Sequence, residues 1–230
     1  MEDIHYNNLE IIQFVNTPVT SNSFIVINVS IMECIVIDPG SKDAGLIKKY
    51  IKENKLNFKY IILTHEHFDH TWGVNDLLNA FPEVKIICTK LCGEWIKTPM
   101  NYFNMLYYNS EEYYYINKID FFIEDLNFLL QWGCEKIKFI NTPGHTNKSM
   151  CVEISNFLFT GDTLLNGYKP FLKKKYGASI IDLYKSIEFI FNNYSYSAIV
   201  FPGHGEKFRL EEAINYYRNY FMDKGIKVKF

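Results

Sequence analysis

Apolar, β-branched runs that break off at histidines, aspartates and glycines constrain this chain more than any other feature. "YIILT" runs into His65, His67, Asp69 and His70, "KFINTPG" into His145, "FLFTG" into Asp162, and "AIVFPG" into His204. Five of the six histidines therefore follow a strand-like run directly. A loop leaving the end of a sheet holds a side chain firmly while presenting it to a cleft, so these positions suit chemistry more than packing. His5, alone in a polar stretch, is expected to have no such role.

Between these ends the chain alternates strands and helices. "LEIIQFV", "SFIVINV" and "ECIVIDPG" read as a meander of three strands. "KDAGLIKKYIKEN" carries apolar residues at helical spacing, "FKYIILT" is a buried strand, "TWGVNDLLNAF" a helix ended by Pro82, and "VKIICT" the next strand. Residues 91–115 crowd tyrosines without a clean period and receive no assignment; ordinary packing, pocket lining and an oligomer surface all suit the stretch 102–115. Short strands follow at "DFFI", "NFLLQW", "EKIKFINT", "MCVEI" and "FLFTGD", then a helix over 180–194, a strand in "SAIVFPG" and a helix over 210–222. Strands and helices recurring in two halves predict an α/β protein in which two packed sheets carry helices outside, a four-layer αβ/βα sandwich.

Size and charge narrow the partners. A chain of 230 residues with 48% hydrophobic content can bury a sizeable core, and no linker or repeat divides it, so one domain over 1–230 is expected. The 24 basic and 26 acidic residues form no basic stripe, which argues against nucleic acid. The N-terminal "MEDIHYNNLEII" lacks a basic segment followed by an apolar one, and no run is long enough to span a membrane, so the expected setting is cytoplasmic. Five scattered cysteines with no C-x-x-C pair read as buried free thiols. A small molecule is the expected partner, with a homodimer compatible.

The donor set is imidazole and carboxylate without thiolate, which fits a catalytic Zn²⁺, iron or manganese site better than a structural zinc finger. In an extended loop, residues two apart point the same way, so His65, His67 and Asp69 converge and His70 turns to a neighbouring position. Asp38, in "IVIDPG", fits either a hydrogen-bond acceptor for a ligating imidazole or a loop amide, or a turn-capping aspartate before Pro39-Gly40. Thr64 and Thr146, flanking the histidines, are expected to satisfy loop backbone groups. Ligation needs neutral imidazoles, so activity is expected to fall in acid.

These motifs resemble the metallo-β-lactamase superfamily: "THEHFDH" matches its H-x-H-x-D-H, "TPGHT" its second histidine motif, "TGDT" its bridging aspartate and "FPGHG" its last histidine, in family order from about residue 10 to about residue 206. The resemblance implies the sandwich fold with two mixed sheets. It also implies two metal positions, with His65, His67 and His145 at the first, Asp69, His70 and His204 at the second, and Asp162 bridging. Two Zn²⁺ are the expected ions, with iron or manganese as alternatives. In such enzymes a hydroxide shared by the metals attacks a carbonyl carbon, and Asp69 orients it and passes its proton to the leaving group. Asp162 separates the chain from the zinc β-lactamases proper.

The likeness is nearest to the glyoxalase II group of thioester hydrolases and related lactonases. Glyoxalase II carries a helical extension that helps bind glutathione, whereas 26 residues follow His204 here. After "GDTLL" the chain reads "NGYKPFLKKKYGAS" where relatives carry Gly-Arg-x-Asp or Gly-Lys-Phe-Tyr, which makes Tyr168 and Lys169 candidates for substrate contact. A thioester or ester/lactone hydrolase is therefore expected. The alternatives are a persulfide dioxygenase-like oxidoreductase with one iron, or a phosphodiesterase of the same fold.

Overall fold

The computed structural model describes residues 4–124 and 128–230, with side chains from Tyr6 onward. The side chain of His5 and the first residue of the strand expected at "NFLLQW" lie outside the described residues. The chain divides into two compact units, Met1–Glu124 and Asp125–Phe230.

The first unit opens with β1 (Ile4–Tyr6), β2 (Leu9–Val15), β3 (Asn22–Asn28) and β4 (Glu33–Ile37), each antiparallel to the next. Every residue of β3 is buried, as expected of an inner strand. The chain then turns to parallel pairing: α1 (Gly45–Glu53) leads to β5 (Asn57–Ile62), α2 (Phe68–Thr71) and α3 (Val74–Ala80) lead to β6 (Lys85–Thr89), and α4 (Lys90–Ile96) and α5 (Tyr102–Tyr108) lead to β7 (Phe121–Ile123). The result is a mixed seven-stranded sheet in sequential order. Ile47 and Ile51, one turn apart on α1, join Val36, Ile61, Leu77 and Ile86 in its buried core.

The second unit begins with the meander β8 (Phe128–Trp132), β9 (Glu135–Asn141), β10 (Met150–Ile154) and β11 (Phe157–Gly161). After α6 (Ile180–Asn193) the chain returns as β12 (Ile199–Pro202), parallel to β11, then adds the short β13 (Phe208–Arg209) and ends in α7 (Leu210–Met222). The six strands lie in the order β13-β12-β11-β10-β9-β8. Ser179 caps α6, its hydroxyl accepting from the Asp182 amide at 3.2 Å, and Leu183, Ile187, Ile190 and Phe191 form the apolar stripe. On α7, Leu210, Ala213, Tyr217 and Phe221 are buried at the same spacing.

The strands and long helices expected from periodicity are present. Three differences have local causes. The helix expected over residues 71–81 is α3, which starts only at Val74 after Gly73, where an added Cβ would stand 2.6 Å from the Ser41 carbonyl oxygen, and the separate turn α2 precedes it. The tyrosine-rich stretch left without assignment contains α4 and α5; all three α5 tyrosines are exposed and only Asn104 is buried on that helix, which hid its period. Cys134 is exposed, in the turn between β8 and β9, while the other four cysteines are buried as expected.

Candidate metal centre

Each unit places its polar side chains at the C-terminal ends of adjacent parallel strands, the edge where open α/β sheets bind ligands. In the first unit these are β4, followed by Asp38, and β5, followed by Thr64 and the three histidines. In the second they are β11, followed by Asp162, and β12, followed by His204; the Gly203 amide donates to the Gly161 carbonyl at 2.8 Å and ties the two loops together.

Asp38 occupies the left-handed region at φ 52°, a conformation that only a surrounding structure holds in place for a non-glycine residue. That structure is visible. Ser23 Oγ donates to the Asp38 carbonyl at 2.6 Å, and the Thr64 amide donates to Asp38 Oδ1 at 2.7 Å. Gly40 lies so close to the backbone of Asp69 that a Cβ would fall 1.7 Å from the Asp69 carbonyl oxygen, which explains why "DPG" ends in glycine. Ser21 Oγ donates to that same carbonyl.

From this anchored position the Asp38 carboxylate sets the tautomers of two histidines. His70 Nδ1 lies 3.0 Å from Asp38 Oδ2, and Thr64 Oγ1 lies 2.5 Å from the same oxygen and 3.0 Å from His65 Nδ1. A carboxylate only accepts, so the threonine gives it its single proton and accepts in turn from His65 Nδ1–H. Both imidazoles then carry hydrogen on Nδ1 and present the lone pair of Nε2. Of the two roles open to Asp38, the structure shows the acceptor for an imidazole; one ligand atom from each of Asp38, His65 and His70 falls within 4.8 Å of the others. The Thr64 side chain proves to be a relay between side chains, whereas Thr146 Oγ1 accepts from the Lys148 amide at 3.1 Å, as expected.

The ring centroids of His65 and His67 are 4.7 Å apart and those of His65 and His70 4.3 Å, so the three imidazoles form one cluster. Asp69 does not continue the extended alternation expected of it. The chain turns into α2 after His67, with the His70 amide donating to the His67 carbonyl at 3.0 Å, and this helical turn sets Asp69 Oδ2 at 3.7 Å from His70 Nε2. Glu66, between the first two histidines, is also buried.

In the second unit, Gly144 has φ 147° and its missing Cβ would overlap Leu183 of α6, so the loop before His145 packs directly on that helix. Ser186 Oγ donates to the Pro143 carbonyl at 2.7 Å from the next turn of the helix. Asp162 Oδ2 lies 3.5 Å from His145 Nε2 and 3.6 Å from His204 Nε2. These separations exceed hydrogen-bond length. Two ligand atoms held about 2.1 Å from one tetrahedral ion stand about 3.4 Å apart, so the spacing fits donors that share a cation. Tyr217, deep on α7, accepts from the Leu165 amide at 2.9 Å and so holds the loop that follows Asp162. Burial pushes its phenol above the ordinary range, which keeps it protonated. Sequence reasoning passed over Tyr217, Ser21 and Ser23; the serines had a signal, polar residues opening the wholly buried strand β3.

The metallo-β-lactamase superfamily profile matches residues 16–204, which takes in both loop sets. The chain belongs to the metallo-β-lactamase superfamily. Among curated superfamily relatives, the hydroxyacylglutathione hydrolase of Buchnera aphidicola subsp. Baizongia pistaciae is 37% identical over 138 residues, 59% of this chain and 44% of that protein. The chain thus spans about half the length of the curated relatives it matches. Among solved structures, BLEG-1, a B3 metallo-β-lactamase, superposes with a TM-score of 0.77 at 22% identity, over 89% of this chain and 96% of its own. A protein solved in a di-iron-bound form superposes with a TM-score of 0.70 at 20% identity, over 88% of this chain and 96% of its own. At these identities the structures establish the superfamily fold, as the resemblance implied.

Tyr168 and Lys169 are exposed, and the Tyr168 ring lies over Gly205, where a Cβ would meet it at 2.7 Å. Gly205 has φ 82° and follows His204 directly, so Tyr168 stands beside that histidine. Buried thiols offer no rival nucleophile: burial pushes Cys34 and Cys151 up to about 12.

Proposed function

We propose that the chain is a dinuclear metal-dependent hydrolase of a small thioester or ester, lactones included, and that its two units act as one superfamily domain. His65, His67 and His145 would hold one ion and Asp69, His70 and His204 the other, with Asp162 available to both. The observation that carries this reading is Asp162 Oδ2 at metal-sharing distance from two imidazole nitrogens. A pair of divalent ions supplies hydroxide at neutral pH and an electrophile for a carbonyl oxygen, so no protein nucleophile is required. Zn²⁺ suits the nitrogen and oxygen donors, as do iron and manganese.

The residues of the chain do the rest. Asp38 and Thr64 keep two imidazoles correctly turned, and Asp69 is placed to orient the attacking group and carry its proton to the leaving thiol or alcohol. Tyr168, beside His204, and the adjacent Lys169 contact the substrate. The hydroxyacylglutathione hydrolase relatives favour a thioester, and the balanced charge favours a small molecule over a polynucleotide. No described helix is long and apolar enough to cross a membrane.

The test is hydrolysis of a panel of acyl-glutathione thioesters, lactones, simple esters and phosphodiesters by protein of defined metal content. Thioester or lactone turnover with two metals per chain is the expected result, and Asp162→Asn should lower the bound metal. A single iron with oxygen consumption on a persulfide, or turnover of phosphodiesters alone, overturns the proposal.

A further inference from the structure

A second recess lies wholly within the first unit, apart from every candidate ligand. Its cavity of about 450 Å³ is in the range of small-molecule sites. Trp72 and Tyr108 supply aromatic walls, their rings edge to face with centroids 5.1 Å apart. The carboxylates of Asp43, Asp76 and Glu112 line it against one lining lysine, Lys42. Asp76 is held by Lys48 and the Ala44 amide; Asp43 lies 3.6 Å from the same Lys48 and Glu112 3.2 Å from Lys42, but with side-chain exposures of 85% and 73% both can turn to a ligand.

Two further observations indicate the kind of ligand. Lys42 Nζ sits 4.9 Å from the centre of the Tyr108 ring while bonded to Glu112 at 3.2 Å, so the recess already holds one ammonium between an aromatic face and a carboxylate. Asn104, in the wall and only 4% exposed, donates its amide to the Glu112 carbonyl, but its Oδ1 has no hydrogen-bond partner among the described residues. A buried acceptor left unmatched is uncommon and marks a place for an incoming N–H donor.

The geometry points to a binding site for a small organic ammonium compound, held by the Trp72 and Tyr108 rings and the Asp43 and Glu112 carboxylates, with the Lys42 side chain as its internal competitor. The floor of the site adjoins the metal loop: Tyr114, also in the wall, donates through its hydroxyl to the Thr71 carbonyl, and Thr71 Oγ1 donates to the His67 carbonyl at 3.1 Å. The wall thus reaches the loop that carries the histidines, although no lining residue is a candidate ligand.

Calorimetric titration of the metal-loaded protein with benzyltrimethylammonium and with spermidine, against benzoate as the anionic control, tests the site without any need for turnover. Saturable binding of a cation and none of benzoate is expected. The double variant Asp43→Asn/Glu112→Gln, which keeps the shape and removes two charges, should weaken cation binding about tenfold or more. Lys42→Met should tighten it by vacating the Tyr108 face. All three side chains lie at the surface, so an unchanged melting temperature is expected and separates lost binding from lost folding. The proposal fails if no cation saturates at millimolar concentration, if the double variant binds as the parent does, or if benzoate binds and is lost in Lys42→Met.

Discussion

Asp38 Oδ2 lies 3.0 Å from Nδ1 of His70, across 32 residues of sequence. That one contact joins the end of β4 to the helical turn after β5, and with Thr64 as a relay it also reaches His65. The Asp38 carboxylate therefore determines how two imidazoles of the candidate metal cluster are turned. Replacement by asparagine keeps the size and tolerates the positive φ, but an amide has one accepting oxygen for three donors. Asp38→Asn should lower metal affinity about 10- to 100-fold while leaving the fold intact. Competition with a chromogenic chelator measures it, and parental affinity would remove Asp38 from the site.

Gly40 tests the same corner from the backbone side. A methyl group there would overlap the Asp69 carbonyl and stand 2.6 Å from the Asn16 amide nitrogen, so the turn and the metal loop cannot both keep their places. Gly40→Ala should cost about 3 kcal/mol or more in urea denaturation. A loss below about 1 kcal/mol would mean that the two loops separate easily.

Tyr217→Phe removes one oxygen from the core of the second unit and leaves the Leu165 amide without its acceptor. The expected loss is about 1–3 kcal/mol, the usual cost of stranding a buried donor. Because Leu165 follows the Asp162 loop, hydrogen exchange at residues 162–165 should also accelerate; unchanged exchange would confine the effect to packing.

Alkaline pH acts through the buried thiols. Burial raises Cys34 and Cys151 from 9.0 to about 12, so the unfolded chain loses these protons first. Their contribution is complete below pH 9.0 and is lost as pH rises towards the folded value near 12. Urea midpoints should fall from pH about 8 to about 10, and Cys34→Ala/Cys151→Ala should flatten that slope even though the variant starts less stable. An equal slope in both proteins would assign the alkaline loss to other groups.

The order of strands and long helices, the placing of histidines at strand ends and the imidazole and carboxylate donor set were all legible in the sequence, because hydrophobic period and residue type are local properties. Residues 102–108 were not, since exposed tyrosines mask the period of a helix whose Phe103 stacks on Phe68 of α2, 35 residues earlier, with ring centroids 3.6 Å apart. Nor could sequence decide between the two roles of Asp38, because its partners Thr64 and His70 arrive only through the parallel pairing of β4 with β5. The same holds for Gly40, whose lack of a side chain is explained by a carbonyl 29 residues away. Local pattern determined which residues can ligate and roughly where. Long-range packing decided which nitrogen His65 and His70 offer and what holds the loop after Asp162, since those depend on distances between segments that no spacing along the chain records.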